Sequence, residues 1–309
     1  MNTLSKDKIY GIVLAMSAVL IWSMMPIILR ALLRNGGGSF SSSDVAFMRV
    51  IIAAATLYCL PDKIVHECNE ECPKMKSELY QWIAGAAIAA NYLLYNLGIK
   101  QTSATMAALL TQISPILLIL VSAQLLNEKV SSFMKYGAII AFGGVVYTIL
   151  PDIRIDNTHL LSSLFGDFFL ILSAIVWVIY AIAQKKLLNL TGRDCLAGIF
   201  IRASVVTIPF VIFSFVSSIL HATLIEYVAI LTIGAIGTAV SYRLYTAGLR
   251  KLQAAEGTIF NIFIPVFAAI GAAITLGESV SHNLIIGFLM VASGIILSFK
   301  QKKSEIKSS

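Results

Sequence analysis

Long apolar stretches alternate with short polar ones along the whole chain, and this pattern predicts a bundle of membrane-spanning helices. Each apolar stretch is roughly 16 to 22 residues long, close to the roughly 20 residues that an α-helix needs to cross a bilayer. The predicted spans cover residues 9–29, 45–60, 79–99, 104–126, 136–150, 165–184, 197–220, 225–249, 254–276 and 283–299. We therefore expect an all-α integral membrane protein with ten transmembrane helices and no room for a soluble domain.

The second half of the chain repeats the pattern of the first. Residues 92–144, moved forward by 150 positions, fall without a gap on a second copy of their own pattern, and upstream matches follow at offsets of 155 and 153. The matched pairs include Trp22/Trp177, Arg49/Arg202, Tyr92/Tyr242, Tyr95/Tyr245, Pro115/Pro265 and Glu128/Glu278. Because each copy has an odd number of spans, the copies must face opposite ways in the membrane. The sequence predicts two inverted five-helix repeats, residues 1–153 and 154–309.

Composition supports a membrane protein, and the placement of charge predicts its orientation. Hydrophobic residues make up 58% of the chain, charged residues 13%, and the mean hydropathy is +0.86. The net charge of +7 could suggest a nucleic-acid partner, but most of the 23 lysines and arginines fall on one side of the predicted bundle. Basic residues flanking spans mark the cytoplasmic side. We therefore expect both termini in the cytoplasm, a multi-pass protein of the inner membrane, and no binding of nucleic acid.

Short motifs follow one another in a fixed order through nearly the whole chain. They are Leu-Ile-Trp-Ser at 20–23, Phe-Met-Arg at 47–49, Tyr-Asn-Leu-Gly at 95–98, Thr-Ser-Ala at 102–104, Ser-Pro at 114–115, Leu-Asn-Glu at 126–128 with Leu-Gly-Glu at 276–278, and Gly-Asp at 166–167 running on to Trp177. This ordered set resembles the EamA-like branch of the drug/metabolite transporter superfamily. One departure is Asn127, where the family usually has glycine, and we expect it to alter only a loop. The resemblance implies a central cavity between inverted repeats and movement of small organic metabolites, often amino acids or related compounds.

Two prolines lie inside predicted spans at repeat-related positions. Pro115 and Pro265 each remove a helical hydrogen bond and free the carbonyl four residues earlier, at Thr111 and Asn261. Such a carbonyl is satisfied by a neighbouring helix in a packed bundle, whereas in a protein-lined cavity it can bind substrate or water. Because the two kinks are related by the repeat, we favour the cavity and place Gln112 in its wall with these residues.

Polar residues share one face of the third span and the matching face of the eighth. Asn91 and Tyr95 are four positions apart, as are Ser241 and Tyr245. Burial of an amide or a phenol in lipid is costly, so these faces should turn toward the bundle interior. Substrate contact and interhelical hydrogen bonding both explain them. The aromatic residues of the first and sixth spans, which either line the cavity or serve packing, are Trp22, Trp177 and Tyr180.

Charged residues are scarce inside the predicted spans. Arg49 and Arg202 lie one to two turns inside a span, where a long side chain can reach the headgroups or tie down carbonyls, so we expect them to be anchors. Glu256 begins the ninth span, where a carboxylate caps free N–H groups. It is the best candidate for a coupling residue if a proton is carried. The scarcity of acids favours facilitated diffusion or exchange.

The preferred function is a secondary transporter that exports amino acids or related metabolites by alternating access. The alternative transporter imports or exchanges a nucleotide-like metabolite such as S-adenosylmethionine. A lipid-modifying enzyme would need clustered acids, histidines or a metal at one interface, and the sequence offers no catalytic residues of that kind. His66, Cys68 and Cys72 lack a fourth ligand, so we expect no metal and no cofactor. The expected partners are a small-molecule substrate and membrane lipids, with the chain as a monomer or homodimer.

Overall fold

The computed structural model describes residues 6–33, 39–60, 74–101, 107, 110–128, 130–149, 160–268, 270 and 282–298, and all regular secondary structure in these residues is helical. The helices are α1 (Lys6–Leu33), α2 (Ser42–Cys59), α3 (Lys74–Gln101), α4 (Ile113–Leu125), α5 (Ser132–Ile149), α6 (Leu160–Thr191), α7 (Leu196–Phe210), α8 (Leu224–Leu249), α9 (Ala254–Ala268) and α10 (His282–Ser298). A short helix, Phe215–His221, follows α7 after a bend of 96°.

The lengths and composition of these helices suit a membrane. Five of them, α1, α2, α3, α6 and α8, are long and apolar enough to cross a bilayer, and α7 with its bent continuation gives a sixth candidate. The other four are shorter apolar helices among the described residues. The expected all-α membrane fold is therefore confirmed, while the count of ten crossings stays a prediction.

The contact between α5 and α10 establishes that the two repeats are inverted. A Cβ atom on Gly144 would lie 2.7 Å from the carbonyl oxygen of Gly287, and one on Gly294 would lie 2.5 Å from that of Gly137. Residue numbers rise along α5 as they fall along α10, so the helices are antiparallel. Because α5 and α10 occupy corresponding places in the two repeats, the repeats face opposite ways.

Two further close contacts are equivalent under exchange of the repeats. A Cβ atom on Gly98 of α3 would lie 2.9 Å from the carbonyl oxygen of Gly166 on α6. Likewise, a Cβ atom on Gly248 of α8 would lie 2.9 Å from the carbonyl oxygen of Gly11 on α1. Small residues let helix backbones approach this closely inside a membrane. The pairs α3/α6 and α1/α8 thus form two matching walls around the centre of the bundle.

Three helices depart from regular α geometry near that centre. Residues Ala235–Val240 of α8 form a π-helical turn, and Ile259–Phe263 of α9 form a 3-10 turn. Helix α4 begins after a turn at Gln112, so Pro115 lies in its first turn rather than in the middle of a span. A proline is tolerated there because the first N–H groups of a helix have no intrahelical partner. Such irregular turns often mark functional sites.

Candidate substrate cavity

A cavity of about 140 Å³ lies at the centre of the bundle, with walls from both repeats. Its aromatic wall consists of Trp22, Tyr92, Tyr95, Trp177 and Tyr242. Its polar uncharged residues are Asn91, Thr111, Gln112, Ser114, Ser173 and Asn261. Arg49 adds one cationic group, and the remaining lining is apolar. The centre of the bundle is therefore a polar and aromatic hollow rather than a packed aliphatic core.

The structure brings seven of the sequence-predicted site residues together in this lining. They are Trp22, Asn91, Tyr95, Thr111, Gln112, Trp177 and Asn261. The other five, Pro115, Tyr180, Ser241, Tyr245 and Pro265, are buried but lie outside the lining. A role in substrate binding stays a prediction for all twelve residues.

Tyr180 and Tyr245 form a second aromatic layer behind the cavity wall. The ring of Tyr245 is centred 5.1 Å from that of Trp22 and 6.3 Å from that of Trp177. The ring of Tyr180 is centred 5.4 Å from that of Tyr242. Aromatic pairs at these separations stabilise each other beyond simple burial. The two tyrosines therefore hold the rings that line the cavity in position.

Asn91 takes part in both of the arrangements that the sequence left open. It lines the cavity, and its Nδ2 atom donates a hydrogen bond of 2.9 Å to the carbonyl oxygen of Ser173, which joins α3 to α6. Ser241 bonds only within its own helix among the described residues, with its hydroxyl 2.7 Å from the carbonyl oxygen of Gly237.

The carbonyl groups expected to be freed by the two prolines both have partners in the chain. The carbonyl oxygen of Thr111 accepts a bond of 2.8 Å from the Ser114 hydroxyl, and that of Asn261 accepts from the Ile264 N–H. The expectation that the two prolines leave these oxygens without a partner is therefore wrong.

Several buried polar atoms of the lining have no hydrogen-bond partner among the described residues. They include the indole Nε1 of Trp22, a donor, and the side-chain oxygens of Gln112 and Asn261, both acceptors. Buried polar groups are almost always paired, since an unpaired one costs about 1 to 3 kcal/mol. The lining thus offers an unmet donor and unmet acceptors to a bound molecule or water.

Arg49 is the most important lining residue that sequence reasoning placed elsewhere. Only 6% of it is exposed, and its Nε atom donates a bond of 2.7 Å to the Thr238 hydroxyl. Its guanidinium carbon lies 3.9 Å from the centre of the Tyr92 ring. The π-helical turn of α8 presents Thr238, because that hydroxyl bonds back to the carbonyl oxygen of Ile233, five positions earlier. Arg49 therefore lies in the interior instead of reaching the headgroups.

Tyr92 and Tyr242 also line the cavity without having been selected from the sequence. Both are 3% exposed, and they occupy corresponding positions in the two repeats. Their identity at matched positions of the two repeats was the sequence signal that could have identified them. Other pairs in the lining, Trp22 with Trp177 and Thr111 with Asn261, follow the same correspondence, so the cavity lies where the repeats meet.

Glu128 ties two helices together at the end of the bundle where α1 begins. Its carboxylate oxygens accept bonds of 2.6 and 3.1 Å from the N–H groups of Ala254 and Ala255 at the start of α9. Asn127, just before Glu128, has a φ of 54°, in the left-handed region that favours glycine. The turn at Asn127 therefore directs Glu128 toward the other repeat.

Two lysines close the same end. Lys185 of α6 donates bonds of 2.5 and 2.8 Å to the carbonyl oxygens of Leu249 and Leu252. Lys8 of α1 lies 2.5 Å from a carboxylate oxygen of Glu256, which also caps α9. Glu256 is thus part of this closure and lies outside the cavity lining. We call Lys8, Glu128, Lys185 and Glu256 the latch.

Metal binding finds no candidate among the residues that the structure describes. These residues contain no group of three or more His, Cys, Asp and Glu side chains that could hold an ion. His66, Cys68 and Cys72 lie outside the described residues.

Comparison with known proteins places this architecture among transporters. The sequence profile of the EamA-like transporter family matches residues 9–150 and again residues 164–300. The uncharacterized inner membrane transporter YhbE of Escherichia coli is 23% identical over 264 residues, which cover 83% of this chain and 78% of YhbE. The uncharacterized transporter YetK of Bacillus subtilis is 26% identical over 230 residues, or 73% of this chain and 68% of YetK. One solved crystal structure has the same fold, with a TM-score of 0.69 at 15% identity over 94% of this chain and 96% of the other.

Proposed function

Because the chain belongs to the EamA-like transporter family, we propose that it is a secondary transporter that moves small organic metabolites by alternating access. Amino acids or related compounds are the proposed substrates, export is the proposed direction, and the inner membrane is the proposed location, with both termini in the cytoplasm. The observation that carries this proposal is the cavity between the repeats, with its unmet donor at Trp22 and unmet acceptor at Gln112. Family and relatives indicate a transporter rather than an enzyme.

The size and chemistry of the cavity support a small substrate. A volume of about 140 Å³ corresponds to roughly five water molecules at about 30 Å³ each. An amino acid fills that space, whereas a nucleotide-like metabolite such as S-adenosylmethionine is much larger. Aromatic walls with a few polar groups are typical of sites that bind small organic molecules. The cavity therefore favours amino acids and related compounds over the nucleotide-like alternative.

Alternating access is supported by the relation between the repeats and the latch. Inverted repeats provide two related packings around one site, each open to a different side. The latch closes the end where α1 begins through ties between α1, α6, α8, α9 and the turn before α5. We propose that the transport cycle breaks these ties and forms the corresponding closure at the other end.

The proposed mode of transport is facilitated diffusion or exchange. The described lining contains no Asp, Glu or His side chain, while a carried proton needs a group that titrates. Uptake into reconstituted vesicles should therefore be the same with and without an imposed proton gradient. If uptake follows the gradient, this mode is wrong, and Glu256 is the acid that we propose to carry the proton.

Counterflow of individual amino acids in vesicles containing the purified chain tests the function directly. We expect Gln112→Leu and Asn261→Leu to lower flux by about 3- to 10-fold, because each removes one hydrogen bond to substrate. The amount of folded protein should stay unchanged. Thr232→Val, at an exposed hydroxyl of α8 that bonds its own helix, is the control and should keep full flux. Equal losses of flux and folded protein would instead indicate a packing role.

A further inference from the structure

Arg49 is a buried cation whose hydrogen-bonding capacity is largely unused. Its Nε atom bonds to Thr238, and its guanidinium faces the Tyr92 ring. Its two terminal nitrogens make no hydrogen bond or ion pair with any residue that the structure describes. A guanidinium carries donors on both terminal nitrogens in a planar fork. The cavity therefore contains two donors arranged for a planar group that accepts two parallel hydrogen bonds.

A cation in this position calls for an opposite charge. Burial of an unpaired charge is strongly unfavourable, and a charged residue inside a membrane bundle usually marks a substrate or ion pathway. The attraction between Arg49 and the Tyr92 ring offsets only part of that cost. The acid closest in sequence, Asp44, is occupied by the hydroxyls of Ser214 and Ser218. The acids outside the described residues all fall in predicted loops or tails.

The repeat-related arginine provides an internal comparison. Arg202 is paired with the carboxylate of Glu78 and donates bonds of 2.9 Å to the Gln81 side chain and to the carbonyl oxygen of Gly198. The chain thus supplies partners, one of them a carboxylate, to both terminal nitrogens of Arg202, and leaves those of Arg49 facing a cavity. The partner missing at Arg49 is one that enters from outside.

We propose that Arg49 binds the carboxylate of the transported molecule and so restricts the cavity to carboxylate substrates. This inference rests on the proposed transport function, for which it names the substrate chemistry. Two parallel bonds from the terminal nitrogens to a carboxylate give both charge compensation and orientation. Gln112 Oε1, an unmet acceptor in the same lining, suits an ammonium group. An amino acid supplies both.

The test uses four compounds of similar shape that differ in their charged groups. They are L-phenylalanine, 3-phenylpropionate, L-phenylalaninamide and phenethylamine, and their binding to the purified full chain is followed by tryptophan fluorescence. The two carboxylates should bind at least about tenfold more tightly than the other two compounds. Arg49→Gln should weaken carboxylate binding by roughly 10- to 100-fold. Arg49→Lys should weaken it by less, because lysine keeps the positive charge but lacks the planar pair of donors. Arg202→Gln is the matched control and should bind like the unaltered chain.

Thermal unfolding without ligand separates this role from a structural one. Arg49→Gln removes an unpaired buried charge, so its melting temperature should equal or exceed that of the unaltered chain. A lower melting temperature, together with equal binding of carboxylate and amide, would make Arg49 an anchor and overturn the proposal. Absence of carboxylate binding by the unaltered chain would overturn it too. If Arg49→Gln does not fold, Arg49→Lys and the four-compound comparison decide.

Flux of the same compounds into vesicles distinguishes this proposal from the transport proposal. Binding of carboxylates that depends on Arg49, without flux of any compound, supports the assignment of Arg49 and contradicts the proposed function. Flux that is equal for carboxylate and amide, and insensitive to Arg49→Lys, supports transport and overturns the assignment of Arg49.

Discussion

Helices α1 and α6 hold corresponding places in the two repeats but meet the cavity differently. On α1, the cavity extends beyond Trp22 along Met25, Pro26 and Leu29. The corresponding residues of α6 lie 155 positions later, and all three are buried outside the cavity lining: Tyr180, Ala181 and Gln184. The cavity thus extends toward the end where α1 finishes, away from the latch. The same pattern of residues thus accommodates both a packed and an open environment, as the proposed alternating access requires.

Hydrogen bonds from α6, at and next to the latch residue Lys185, stabilise the packed environment. Gln184 donates a bond of 2.9 Å to the carbonyl oxygen of Asp194, and Lys185 bonds to Leu249 and Leu252. The repeat-related position of Lys185 is Arg30, again a basic residue, whose side chain lies outside the described set. Breaking the Lys185 bonds should therefore make the packed residues of α6 more accessible.

The largest effect is expected from Lys185→Met, which keeps the length of the side chain and removes its donors. Two buried carbonyl groups lose their partner, so the closed end should be destabilised by about 2 to 4 kcal/mol. Reporter cysteines at the matched positions Pro26 and Ala181, in a chain whose four native cysteines are serine, measure this shift by alkylation. Pro26→Cys should react and Ala181→Cys should be protected, and Lys185→Met should expose Ala181→Cys.

Lys186→Met, at the next position of α6, controls for loss of a positive charge in this region. It should leave the alkylation of both reporters unchanged. Protection of Ala181→Cys in the Lys185→Met chain would mean that Lys185 has only a local role. The asymmetry between α1 and α6 would then have another cause.

Alanine at Gly98 and at Gly248 tests whether the α3/α6 and α1/α8 walls are equally tight. Each Cβ atom would lie 2.9 Å from a carbonyl oxygen of the facing helix, so each substitution should lower the free energy of unfolding by about 1 to 3 kcal/mol. Melting temperature in detergent measures the loss. At Gly143, the nearest atom is 3.8 Å away, so Gly143→Ala should be nearly neutral. A loss at only one of the two walls would contradict their equivalence.

Sequence reasoning succeeded where a local property determines the structure. The length of apolar stretches predicted the helices, and identities at a fixed offset predicted the inverted repeats, because both are present in the chain itself. Asn91 and Tyr95 were named because a buried amide or phenol should turn inward, and Thr111, Gln112 and Asn261 because two prolines lie at repeat-related positions. These properties do not depend on how the helices pack.

Arg49, Pro115 and the unequal cavity walls depend on packing and were not predictable. Helix α2 begins at Ser42, earlier than the hydropathy suggested, so Arg49 lies about two turns inside it. Its partners, Thr238 and Tyr92, come from two other helices. The unequal shares of α1 and α6 in the cavity lining cannot be predicted from a pattern that the two repeats have in common.

The two tryptophans of the repeat pair should contribute unequally to binding. Trp22 has a buried indole N–H without a partner among the described residues, whereas Trp177 is only half-buried. Trp22→Phe should therefore weaken the binding of 3-phenylpropionate by about 3- to 10-fold, through loss of one hydrogen bond. Trp177→Phe should have a smaller effect. Calorimetric titration measures both, and equal losses would mean that the rings act only by their apolar surface.

The smallest effect is expected at the turn that directs Glu128. Asn127 has a φ of 54°, and the repeat-related residue is Gly277. Glycine adopts this conformation without strain, and asparagine tolerates it better than other residues do. Asn127→Gly should therefore change the free energy of unfolding by at most about 0.5 kcal/mol, while Asn127→Val should lower it by about 1 to 2 kcal/mol because a β-branched residue is strained there. Hydrogen exchange at the N–H groups of Ala254 and Ala255, which donate to Glu128, measures the same effect. Their protection should be kept in Asn127→Gly and reduced in Asn127→Val. Unchanged protection in Asn127→Val would show that Glu128 reaches α9 without this turn.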